Sequence, residues 1–138
     1  MIEAKDLRKK VEKLKKQKIF VLNSFVESKG ENGLDNLLSK TDIPKEFDLL
    51  SIDIDGIDYH VWKNFNEYNP KIVLIEHNPT IPPHIEYIPE EKSSLIGAST
   101  LALYGLGKLK GYELVCCTDT NSIFVRKDLF GLFNIQDN

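Results

Sequence analysis

FDLLSIDIDGID, residues 47–58, decides how this chain is read: an apolar, strand-like run ends abruptly in Asp53, Asp55, Gly56 and Asp58. Side chains alternate faces along an extended strand, which places Ser51, Asp53 and Asp55 on one side and Leu50, Ile52 and Ile54 on the other. Gly56 lets the backbone turn. Open parallel sheets bind ligands outside the carboxyl ends of their strands, so carboxylates at such an end point to a ligand or cofactor.

Working outward, residues 18–26 (KIFVLNSFV) are rich in β-formers and read as a short strand before the turn at Gly30. Leu34, Leu37 and Leu38 mark one face of a short helix that Ile43 and Pro44 end. After the carboxylates, Val61, Trp62 and Phe65 recur at helical spacing within 59–68, and Asn69 and Pro70 stop that helix. Residues 71–76 (KIVLIE) are the next buried strand. Pro82, Pro83 and Pro89 keep 80–94 irregular, a length that suits a lid over a ligand. A helix is expected over 95–110, stopped by Gly111, and strands at 112–118 and 122–127 surround a turn at 119–121. The order implies a single α/β domain over 1–138, a three-layer sandwich whose mostly parallel sheet ends in an antiparallel hairpin.

Composition narrows the classes. With 138 residues, 41% hydrophobic and 28% charged, the chain suits one domain with one core. No run approaches the ~20 apolar residues that span a bilayer, and no signal-peptide core follows Met1, so a cytoplasmic location and no membrane partner are expected. Residues 1–18 carry eight Lys or Arg against three acids, while the rest carry ten against eighteen. Leu7, Val11 and Leu14 make that first segment a helix with a basic outer face. It lacks aromatics for base stacking, so no nucleic-acid partner is expected. Cys116 and Cys117 are adjacent, point to opposite faces of a strand, and read as reduced.

Three segments, 33–62 (GLDNLLSKTDIPKEFDLLSIDIDGIDYHVW), 70–83 (PKIVLIEHNPTIPP) and 97–129 (GASTLALYGLGKLKGYELVCCTDTNSIFVRKDL), resemble FkbM-like methyltransferases, class I enzymes that use S-adenosylmethionine. The resemblance implies a Rossmann-like methyltransferase sheet whose last strand folds back antiparallel, and methyl transfer to oxygen of a small molecule or glycan. It covers the C-terminal two-thirds of such a domain: the first strand and glycine-rich cofactor turn have no counterpart. The two strands that would separate 18–26 from the Phe47 strand leave about 10 Å of sheet missing. An open edge would then recruit another chain, giving a homo-oligomer or marking a missing N-terminal portion.

The resemblance further implies that Glu3, Asn23, Ser24 and Asp53 bind cofactor, Glu3 through the ribose hydroxyls. Asp53 and Asp55 become the catalytic pair, with Asp55, Glu76 and Asn78 toward the acceptor and no metal. A vestigial, non-catalytic binding module is the alternative. DIDG also resembles the start of haloacid-dehalogenase-like phosphohydrolases, which would make Asp53 nucleophile and Asp55 acid/base with magnesium. Ile57 stands where that motif has a small hydroxyl residue. His60, His77 and His84 lack the spacing of a metal site.

Overall fold

The computed structural model describes residues 19–91 and 96–133. Among these residues three helices, α1 (Leu34–Ser39), α2 (Asp58–Asn64) and α3 (Thr100–Leu109), accompany four strands, β1 (Leu49–Ile52), β2 (Ile72–Glu76), β3 (Tyr112–Cys117) and β4 (Asn121–Arg126). A 3-10 turn over Lys127–Leu132 follows. The strands form one sheet in the order β1-β2-β4-β3. β1 and β2 run parallel, with Leu49 opposite Ile72 and Ile52 opposite Ile75, whereas β4 is antiparallel to both β2 and β3. The architecture is therefore mixed α/β, with a sheet in which β1, β2 and β3 share one direction and β4 alone opposes them.

Alternation builds the core. Leu50 and Ile52 of β1, Val73 and Ile75 of β2 and Phe124 of β4 are buried against Val61, Trp62, Phe65, Ala102, Leu103 and Leu106 of the helical layer. Trp62 lies at its centre, 4.8 Å from the Phe124 ring and edge-on to Tyr112 at 5.9 Å. Gly107 makes that packing possible. A Cβ there would stand 2.7 Å from Phe124, closer than carbon atoms approach, and a tight 3.2 Å from Trp62. Gly111 ends the region of α3 in a left-handed conformation with φ 81°, and Ser99 caps the helix start by accepting from the Ala102 N–H at 3.2 Å.

Residues 19–26, the described part of the strand expected over 18–26, do not form it. From Ile19 to Val26 the chain has no ladder partner, and the nearest pairing is a single bridge between Glu27 and Gly33. β-rich composition supplies side chains suited to a sheet but does not by itself make a ladder. Phe25 is left 82% exposed, and among the described residues the outer edge of β1 stays unpaired. The helix expected from residue 95 begins at Thr100, where Ser99 supplies its cap. The basic N-terminal helix lies outside the described residues. Cys116 and Cys117 face Ile123 and Ser122, on opposite faces as expected, beyond an irregularity after Leu114.

Candidate functional site

Register explains why carboxylates meet. Ile52 lies beside Ile75 in the parallel pair, so the next residues, Asp53 and Glu76, leave adjacent strand ends on the same face. Asp55 joins them by another route. The strand ends at Ile52, not at Asp55, and Asp55 takes φ 57°, a left-handed conformation unusual for a side chain larger than glycine. Its carboxylate therefore owes its position to a turn rather than to strand alternation. Oxygens of Asp53, Asp55 and Glu76 lie within 4.8 Å of one another, close enough to share one cationic group.

The turn is held by Asp58, whose sequence signal is its place two residues beyond Gly56. It is 1% exposed. Its Oδ1 accepts from the Ile54 N–H at 3.1 Å and its Oδ2 from the Gly56 N–H at 3.0 Å, so one side chain fixes the backbone on both sides of Asp55. Burial pushes the Asp58 carboxyl above its ordinary value, against the pull of these backbone donors. Glu76 is also raised, first by burial and then by Asp53, Asp58 and Asp55. Among the described residues no lysine or arginine pairs with Asp53, Asp55 or Glu76.

Asp55 also lines an open cleft of about 850 Å³, with Ile54, Ile57, Ser24, Val26, Ser28 and Glu91 around it. Ser24 is part of the cleft wall. Asn23 is exposed and is not part of its wall, and Glu3 lies outside the described residues. Asn78 is occupied in shaping its own turn, where its Oδ1 accepts from the Thr80 N–H at 2.9 Å and hydroxyl at 2.7 Å. The loop after it, irregular as expected over 80–91, is tied down at several points. Ser99 N–H donates to the Tyr87 carbonyl at 3.0 Å, Tyr87 N–H donates to Ser99 Oγ at 2.9 Å, His60 Nε2 meets the Pro89 carbonyl at 2.7 Å, and Ser28 donates to Glu91 at the cleft wall.

Sequence reasoning missed Asn121. It sits directly across β4 from Glu76, which places both side chains on one face, and its Oδ1 is buried without a hydrogen-bond partner. Only the strand register could have drawn it to this end, since 45 residues separate the two. Among the described residues no histidine joins the acidic group.

Comparison with known proteins returns nothing: no family model, no curated protein and no solved structure matches this chain.

Proposed function

We propose that the chain is a methyltransferase-type domain that binds S-adenosylmethionine at the carboxyl end of β1 and β2 and passes its methyl group to an oxygen of a small molecule or glycan. The observation that carries the reading is the convergence of Asp53, Asp55 and Glu76 beside a cleft large enough for a nucleoside-sized ligand. S-adenosylmethionine carries a sulfonium and an ammonium, and three uncompensated carboxylates are the complement such charges require. The antiparallel last strand, β4, agrees with the sheet that the resemblance implies. On this reading the described sheet and helices are part of a three-layer Rossmann-like sandwich.

The residues divide the work. Asp53 and Glu76 face the cationic end of the cofactor, while Asp55, on the cleft wall, orients the acceptor hydroxyl or takes its proton as the methyl arrives. The apolar wall of Val26, Ile54 and Ile57 suits the flat base of the nucleoside. Isothermal titration of the whole chain with S-adenosylhomocysteine tests the proposal. Micromolar binding is expected, weakened at least tenfold in Asp53→Asn. No binding would remove autonomous catalysis and leave the alternative of a vestigial binding module.

A further inference from the structure

The outer edge of β1 and the segment before the cleft have complementary needs. Among the described residues β1 pairs only with β2, so its other side carries a row of N–H and C=O groups with no ladder, and Leu49 on that strand is 55% exposed. Charged side chains and prolines normally keep such an edge from pairing with another chain, and residues 49–52 (LLSI) contain neither. Residues 19–26 (IFVLNSFV) are β-rich, contain no proline and form no ladder. Leu22 and Phe25 within them are exposed. In an added strand, alternation would send Ile19 and Val21 to one face and Phe20 and Leu22 to the other, so both faces of the sheet would be extended by apolar side chains.

Charge and direction decide whose segment fits. Val26 and Glu27 line the cleft beside Ile54 and Asp55, so with that end held at the carboxyl end of β1 the chain's own segment could follow the edge only in parallel. A second copy's segment has no such tether. Run antiparallel, the more stable pairing per residue, it brings Lys18, which precedes it in sequence, to the end where Asp53 and Asp55 have no lysine or arginine partner among the described residues. Its Glu27 goes to the amino end, where Lys45 is exposed. We propose that two copies of this chain dimerise by exchange, residues 19–26 of each adding antiparallel to the outer edge of β1 in the other. Main-chain hydrogen bonds supply the affinity in such strand addition, and the alternating side chains fix the register. Because the two contacts are identical and related by a two-fold axis, the assembly closes at two copies and leaves no free edge to grow from.

Sedimentation equilibrium of the whole chain, without cofactor, tests the proposal separately from whatever the cleft binds. Twice the chain mass is expected at micromolar concentration. Leu22→Pro takes a donor out of the added strand, and Leu49→Lys puts a charge on the strand that receives it. Each should raise the dissociation constant at least about tenfold. Circular dichroism should stay that of the parent, because residue 22 belongs to no ladder in the single copy and Leu49 is exposed there. A parent chain that stays monomeric, or an assembly that keeps growing with concentration, would overturn the proposal. So would a dimer that survives Leu22→Pro, as two β1 edges paired directly with each other would. Should Leu22→Pro disturb the fold, Leu22→Asp takes its place with the same loss expected, since aspartate is disfavoured in strands.

Discussion

The two ends of the sheet treat charge in opposite ways. At the amino end every strand begins or finishes beside a compensated group: Lys71 Nζ meets Asp48 at 2.7 Å, Arg126 reaches Asp128 at 2.7 Å and Glu46 at 3.3 Å, and Lys110 Nζ donates to the Phe65 carbonyl at 2.7 Å. Tyr112 gives its hydroxyl proton to the Pro70 carbonyl at 2.6 Å, and burial pushes its pKa up to about 12. At the carboxyl end three acids converge, and among the described residues no lysine or arginine pairs with them, although Lys29 lines the cleft beside Asp55. A small cavity of about 260 Å³ at the amino end, lined by Trp62, Phe65, Lys110 and Tyr112, has its cation already bonded to the protein. One end is finished for stability. The other holds Glu76 with its pKa raised by burial and by the carboxylates beside it.

The largest break in this contrast should come from Asp58→Ala. It strands one buried and one partly buried backbone N–H group and releases the turn that carries Asp55, so a loss of roughly 2–4 kcal/mol is expected in urea unfolding. Asp58→Asn is the sharper variant, because its amide oxygen can keep one of the two donors. An Asp58→Ala protein as stable as the parent would show the turn to be held elsewhere.

That residue also marks the limit of what the sequence discloses. β1, β2 and the β3–β4 hairpin are legible because two-residue alternation and turn residues are local signals, and Trp62 and Phe65 fall in the core as their spacing requires. The meeting of Asp53 with Glu76 follows from both leaving parallel strand ends. The left-handed backbone at Asp55, the two bonds to Asp58 and the approach of Asn121 are not written locally, because they arise from a turn's geometry and a register across distant residues. Residues 19–26 show the converse: the composition of a strand is present and the ladder is not, although the outer edge of β1 is unpaired among the described residues.

Gly107→Ala comes next in size, and it probes the finished core rather than the charged rim. The added methyl must displace Phe124 or Trp62, at a cost of about 1–3 kcal/mol by thermal or urea unfolding. Ligand affinity per folded molecule should be unchanged. A weakened site would mean that core and rim are not separable.

The smallest effect should have the opposite sign. Glu76 has a raised pKa in the folded chain, so its contribution to stability is fully present below the ordinary glutamate value and is lost as pH rises through the raised one. Glu76→Gln should therefore stabilise the protein at neutral pH, by about half a kcal/mol given its partial exposure. The gain should vanish on acidification below the ordinary glutamate range. A variant less stable than the parent at neutral pH would show that Glu76 has a favourable partner. Asp48→Asn, at the compensated end, should instead leave stability unchanged or lower it slightly.

The central claim is that the uncompensated end of the sheet is where this chain binds a cofactor. Amide chemical-shift mapping of the whole chain during titration with S-adenosylhomocysteine tests it most directly. The account predicts changes concentrated in residues 24–29, 53–58 and 76–78, with residues 45–48, 69–71 and 126–128 unmoved. Changes centred on the amino end, or none at saturating ligand, would contradict it.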